Sequence, residues 1–145
     1  MLTTVTNLQE VREAIETRFG NSFDSYTIPV QYGNVATLKQ GNASISTPYK
    51  GPAFVRLDNF LGNSQQPEVT RAITTMNGII NINIFVSQGS GTQNSLEIAD
   101  DILTIFNAVT FNGITTEVAS LRTLPPNNGW YVTNLSIPYR WFRCN

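Results

Sequence analysis

The chain has 145 residues and a mass of 16.1 kDa, a size typical of one domain with its own hydrophobic core. Its hydrophobic fraction of 41% excludes a disordered chain. The charged fraction of 13% is about half the ~25% usual in soluble domains. With a net charge of −1 and scattered cations, the sequence does not predict a nucleic-acid footprint. We expect a single weakly charged domain over residues 1–145, with little repulsion between copies.

Several kinds of chemistry are disfavoured by composition. The chain contains no histidine, the usual general base and the commonest metal ligand. Its single cysteine, Cys144, can form no disulfide within the chain. The richest apolar stretch, residues 79–86, is interrupted by Asn81 and Asn83 and is far shorter than the ~20 residues that span a bilayer. These features predict a soluble protein that is not an enzyme, binds no metal or cofactor and contacts no membrane.

The first predicted element is an amphipathic helix. Asn7 and Glu10 stand three residues apart, as in a capping box, and Gly20 is placed to end the helix. A short strand is expected over residues 28–32, where Pro29 limits it to a sheet edge or a strand start. Residues 33–52 lack periodicity and are expected to form a long loop that is mobile or makes contacts.

The middle of the chain predicts a hairpin. Residues 53–60 and 67–75 have strand character, and Asn77-Gly78 is a favoured two-residue turn. Beyond it, apolar residues alternate with asparagines over residues 79–87, which predicts a half-buried strand. Residues 87–91 form a glycine–serine turn before a second helix that ends near Ala108. Its broad apolar face is expected to include Leu96.

The last part of the chain predicts more strands. Asn112-Gly113 is a second turn signal, residues 114–121 have strand character and residues 125–129 are expected to form a loop. A long final strand follows over residues 130–140. The order of elements favours an α+β fold, with a mainly antiparallel sheet and two helices packed on one face.

Two local patterns resemble functional sites but lack the residues or geometry that such sites need. The glycine-rich turn at residues 87–92 lacks the lysine of a phosphate-binding loop, and the adjacent Asp100 and Asp101 diverge on a helix. A small hydrolase or binding module remains an alternative. It requires two or more carboxylates to meet in one cleft; the candidates are Asp24, Asp58, Glu97, Asp100, Asp101 and Glu117.

The linear order of motifs in this chain resembles that of the tail terminator (tail completion) proteins of long-tailed bacteriophages. The segments concerned are GIININIFV (78–86), GSGT (89–92), IADDILTIF (98–106), GWYV (129–132) and IPYR (137–140). The order and spacing of these segments carry the resemblance, which extends over nearly the whole chain. The long loop at residues 33–52 and the low charge depart from the family pattern.

The resemblance implies a structural virion protein of the tail or neck, present in the host cytoplasm during assembly. It implies a homo-oligomer, a hexameric ring, that caps the head-proximal end of the tail tube and stops its polymerisation. Its partners would be the tail tube protein and a head-completion or neck protein, with no specific nucleic acid. Another neck or head–tail joining ring protein is the alternative within this class.

A closed ring requires two different patches on each copy. The predicted hairpin, the glycine–serine turn and the aromatic residues around the last strand could supply them. The candidate interface residues are Arg71, Met76, Asn77, Gln88, Ser90, Thr92, Trp130, Trp141 and Phe142.

Overall fold

The protein is described by a computed structural model over residues 4–24, 27–33, 38–41, 43–45, 52–65, 73–88, 92–127 and 129–144. These residues form two helices, α1 (Leu8–Ser22) and α2 (Thr92–Phe106), and nine strands. The strands are β1 (Val30–Tyr32), β2 (Leu38–Gln40), β3 (Ala43–Ile45), β4 (Ala53–Gln65), β5 (Ile73–Ser87), β6 (Thr110–Phe111), β7 (Ile114–Thr116), β8 (Ser120–Asn127) and β9 (Trp130–Cys144). They form one sheet in the order β3-β2-β1-β4-β5-β9-β7-β6, and β8 also pairs with β9.

The centre of the sheet is the antiparallel pair β5–β9. These two 15-residue strands pair along their whole length, from Ile73 opposite Cys144 to Ser87 opposite Trp130. β4 pairs antiparallel with β5 on its other side, and β1 pairs parallel with β4. The other described pairings are antiparallel. The predicted α+β fold with a mainly antiparallel sheet is confirmed.

One side of the sheet carries the hydrophobic core, and both helices contribute to it. The strand residues of this side include Val55, Leu57, Ile80, Ile82, Ile84, Val86, Leu135, Ile137, Tyr139 and Trp141. The main helical contributors are Val11, Ile15, Phe19, Ile98, Ile102 and Phe106. The alternation expected for residues 79–87 is confirmed, since the even-numbered residues from Ile80 to Val86 are 0% exposed.

The start of α1 is capped as the sequence predicted, with one difference. The Asn7 side chain accepts a hydrogen bond from the Glu10 amide at 2.9 Å. The Glu10 carboxylate, however, reaches Thr6, accepting from its amide at 2.8 Å and from its hydroxyl at 2.6 Å. The Thr6 hydroxyl is the main cause that lowers the pKa of Glu10.

The end of α1 lies two residues beyond the predicted stop at Gly20. The Phe23 amide donates to the Phe19 carbonyl at 2.8 Å, and the two rings stack with centroids 4.8 Å apart. This extra apolar contact, one turn after Phe19, extends the helix to Ser22.

The last carbonyls of α2 accept hydrogen bonds from side chains outside this helix. The Thr116 hydroxyl donates to the Phe106 carbonyl at 2.6 Å, and Arg18 donates from Nε to the Ile105 carbonyl at 2.8 Å. These donors satisfy carbonyls that a helix end leaves unpaired. The buried face of α2 is narrower than predicted, because Leu96 is 50% exposed.

The predicted turn at Asn77-Gly78 is wrong, because both residues lie inside the unbroken strand β5. Gly78 instead makes room for the ring of Tyr139, because a Cβ atom at position 78 would lie 2.3 Å from the phenol oxygen. The second turn signal is confirmed. Asn112 (φ 50°) and Gly113 (φ 81°) connect β6 to β7 with the left-handed backbone that such a turn needs.

The expected long loop at residues 33–52 is wrong in its described part, which contains the hairpin β2–β3 with Gly41 at φ 63°. Residues 34–37, 42 and 46–51 lie outside the described residues, as do residues 67–72 of the predicted strand 67–75. Pro29 directly precedes β1, as predicted for a strand start. The expected loop at 125–129 is also shorter, because β8 extends to Asn127.

Candidate assembly surface

The side of the sheet opposite the core is covered by neither α1 nor α2, and we call it the open face. Its side chains come from the positions of β4, β5 and β9 that alternate with the core residues, and from β8 beside β9. Its members include Phe54, Arg56, Asp58, Phe60, Ile79, Asn81, Asn83, Phe85, Arg122, Trp130, Val132, Asn134, Ser136, Pro138, Arg140 and Phe142.

One end of the open face carries a cluster of three aromatic rings. Phe54 and Phe85 are register partners whose rings stack with centroids 4.4 Å apart. The Trp130 ring meets Phe54 edge-on at 5.1 Å and Phe85 at 6.5 Å. Such geometry is favourable for aromatic pairs, and it holds a large, half-buried apolar surface in place.

The middle of the open face is polar. The Asn134 amide nitrogen donates to the side-chain oxygens of Asn81 and Asn83, both at 2.8 Å. Ser136 donates to the Asn134 side-chain oxygen at 3.2 Å. Asn134 is only 4% exposed, so this network holds β5 and β9 in register through a nearly buried amide.

The other end of the open face presents apolar side chains to solvent. Phe60, Ile79 and Pro138 lie side by side across β4, β5 and β9. Phe60 is 53% exposed and Ile79 41%, while Phe142 nearby on β9 is 55% exposed. A row of exposed apolar residues of this kind is typical of a surface that another molecule covers.

The charges of the open face are mostly cationic. Arg56 forms an ion pair with Asp58 at 3.0 Å, and Arg140 pairs with Glu117, which lies between β7 and β8. Arg122 is exposed on β8 and has no ion-pair partner among the described residues. Arginines and aromatic rings are the side chains that most often anchor protein interfaces.

Two of the nine predicted interface residues lie at the aromatic end of β5–β9. Trp130 belongs to the cluster, and the backbone N–H of the exposed Gln88 donates to the Gly129 carbonyl at 2.9 Å. Met76, Asn77 and Phe142 lie towards the other end, about 37 Å away at the usual rise per strand residue. Met76 packs partly against the core, and Asn77 is half-buried. The structure therefore does not gather them into one patch.

Trp141 is a core residue with 1% exposure, so the expectation that it meets a partner is wrong. Its neighbour Phe142 is exposed on the open face, and its role as a contact residue stays a prediction. Thr92 is the first residue of α2, and Arg71 and Ser90 lie outside the described residues.

Sequence reasoning missed the aromatic partners of Trp130. Phe54 and Phe85 stand at positions that alternate with buried residues, Phe85 between Ile84 and Val86. An aromatic residue at an off-core position of a strand was the signal available.

Candidate carboxylates line two surface grooves. Asp24 and Asp101 line a groove of about 500 Å³ between the ends of α1 and α2, so the structure brings two of the candidate carboxylates to one concave site. Arg18 lines the same groove, and the Asp24 carboxylate accepts bonds from the Thr27 amide and hydroxyl. A second groove, of about 490 Å³, lies between α1 and β4 and contains Asp58 alone of the candidates.

Within the described part of the chain, no three acidic or cysteine side chains stand close enough to hold a metal ion. Neither described helix is both long and apolar enough to cross a membrane.

The fold and this surface together define a small sheet protein with a row of exposed apolar side chains that suits contact with another macromolecule. A family model described as "Phage tail terminator protein" matches residues 10–139, and the chain belongs to that family. The family is structural, and its members are components of the virion tail. The match spans the elements from α1 to most of β9.

A similar fold occurs among solved structures. One such chain is 15% identical, aligns over 90% of this chain and 92% of its own length, and superposes with a TM-score of 0.63. At that identity the likeness concerns the fold. No significant match was found among proteins with curated descriptions.

Proposed function

We propose that this tail terminator assembles as a ring of six copies on the head-proximal end of the tail tube. The ring stops addition of tube subunits and presents the surface on which a head-completion or neck protein docks. Family membership over residues 10–139 carries this proposal. The exposed apolar residues of the open face support it, because an isolated subunit would leave Phe60, Ile79 and Phe142 in water.

The proposed action is stoichiometric binding, without catalysis. One surface of the ring binds the last layer of tube subunits and thereby occupies the site where the next layer would add. The opposite surface of the ring differs from a tube end, so further tube subunits cannot bind there. Such a cap needs many weak contacts repeated around the ring and no reacting group. The protein would act in the host cytoplasm during assembly and remain in the finished virion.

The direct test is a phage genome that lacks this gene, supplied in trans with either the native gene or an empty plasmid. Tail lengths are measured by electron microscopy of the particles. We expect tails of uncontrolled length without the protein and tails of uniform length with it. Normal tails that fail to join heads would contradict the proposal and identify a neck-joining protein. Purified protein mixed with preformed tubes should bind at one end only.

A further inference from the structure

Although the net charge is only −1, acidic and basic residues are unequally distributed between the helices and the sheet. Among the residues of α1 and α2, six are acidic and two are arginines: Glu10, Glu13, Glu16, Glu97, Asp100 and Asp101, with Arg12 and Arg18. The residues of the nine described strands include five cations and one acid: Lys39, Arg56, Arg122, Arg140 and Arg143, with Asp58. The helical layer is therefore acidic and the sheet is basic.

The acidic surface is most concentrated on α2. Glu97, Asp100 and Asp101 are exposed, and α2 itself contains no cation. Arg18 of α1 reaches the end of α2, but its guanidinium lies over the Phe111 ring and donates to the Ile105 carbonyl. Leu96 stands beside these acids with half of its surface exposed. We call Leu96, Glu97, Asp100 and Asp101 the α2 surface.

The α2 surface and the open face lie on opposite sides of the subunit, because α2 packs on the core side of the sheet. The open face offers the complementary chemistry, with Arg56, Arg122 and Arg140 around exposed apolar residues. A molecule with complementary patches on two sides can join copies head to tail, and such a contact closes into a ring when the rotation allows it.

We propose that in the ring the open face of each copy packs on the α2 surface of the next copy. This inference rests on the proposed ring and specifies which surfaces form its interface. The cations of the open face meet the acids of α2, while Phe60, Ile79 and Phe142 cover apolar surface that includes Leu96. Opposite charges orient the encounter and exclude the face-to-face arrangement of two open faces, which would bring like charges together.

The test uses charge reversal on each surface. The sheet variant is Arg122→Glu/Arg140→Glu, and the helix variant is Glu97→Arg/Asp101→Arg. All four side chains are exposed. Assembly is measured as particle mass in solution, with tube ends added as template if the free protein is monomeric. Each variant alone should need at least ~10-fold more protein to form rings, because like charges then face each other.

Mixing the two variants in equal amounts supplies the decisive readout. The reversed open face of one variant then meets the reversed α2 surface of the other, and the remaining pair of surfaces is native. An alternating ring of six satisfies every interface, so the mixture should assemble as well as native protein. No defect in folding of either variant could be repaired by mixing.

The matched control is Lys39→Glu/Arg143→Glu, which makes the same change in formal charge. The register partners of these residues, Val30 and Thr74, lie on the helix-covered side of the sheet. This control should assemble like native protein. Two outcomes would contradict the proposed interface but not the ring. In one, the native protein forms rings and each variant alone assembles equally well. In the other, mixing the two variants does not restore assembly. Native protein that forms no ring even on tube ends would instead overturn the proposed function.

Discussion

The ring of Tyr139 on β9 lies over the bare backbone of its register partner Gly78 on β5. A Cβ at position 78 would stand 2.3 Å from the phenol oxygen and 2.4 Å from the adjacent ring carbon, both too close for any side chain. The phenol hydroxyl also donates to the side-chain oxygen of Asn59 on β4 at 2.5 Å. One aromatic residue thereby connects three neighbouring strands across a position where any side chain would displace its ring.

Gly78→Ala should therefore destabilise the fold. The new methyl group must displace the Tyr139 ring from a well-packed site, which costs about 1–3 kcal/mol in the free energy of unfolding. Denaturant unfolding of the isolated protein measures this cost. The matched control is Gly20→Ala in α1, where the nearest atom is 3.5 Å away and the change should stabilise the helix by about 0.5–1 kcal/mol. Equal effects at both positions would contradict the role assigned to Tyr139.

A second prediction concerns alkaline pH. Burial raises the pKa of Tyr139 to about 12, above its usual 10, so the folded state holds the phenol proton more tightly than the unfolded state does. The resulting stability is complete below about pH 10 and decreases as the pH rises towards 12.

Tyr139→Phe lacks this titration and also loses the bond to Asn59, which should cost about 0.5–1.5 kcal/mol at neutral pH. The difference in unfolding free energy between native protein and variant should therefore shrink as the pH rises above 10. Paired denaturant titrations at neutral and alkaline pH measure it. If the difference in unfolding free energy stayed constant with pH, it would argue against a raised pKa of Tyr139.

Local signals in the sequence sufficed for the helices, the strand alternation and the fold class, because these depend on periodicity and capping. These signals were insufficient for the dipeptide Asn-Gly, which occurs twice in the chain in two different backbone structures. Asn112-Gly113 forms a turn with positive φ at both residues, whereas Asn77-Gly78 lies within a strand paired on both sides. At Gly78 the glycine makes room for Tyr139, 61 residues further along the chain, and no local pattern contains that contact.

The candidate surface was predictable only in part. Trp141 continues the alternation of Leu135, Ile137 and Tyr139, so this alternation indicates a core position, contrary to the interface role predicted for Trp141. Which strands become neighbours depends on long-range pairing, and this pairing creates the row of Phe60, Ile79 and Pro138 from three separate segments. Residues that are ordinary in sequence become a surface only when the sheet brings them together.

The third prediction tests the polar middle of the open face. Asn134→Asp replaces a donor with a carboxylate oxygen facing the side-chain oxygens of Asn81 and Asn83. An unmatched, nearly buried charge should cost about 3 kcal/mol or more, whereas Asn134→Ala should cost about 1–3 kcal/mol through the lost bonds. Thermal unfolding compares the two. Because protonation removes the repulsion, the Asp variant should recover stability at acid pH, and the Ala variant should not.

The last prediction separates folding from assembly with two adjacent residues. Trp141 is 1% exposed in the core, so Trp141→Ala should lower the unfolding free energy by about 3–5 kcal/mol. Phe142 points to the other side and is 55% exposed, so Phe142→Ala should change stability by less than about 0.5 kcal/mol. If the open face forms the ring contact, the Phe142 variant should fold normally yet assemble poorly, as measured by unfolding and particle mass on the same sample. Normal assembly of that variant would remove Phe142 from the interface, and a large loss of stability would show that its side chain packs within the subunit.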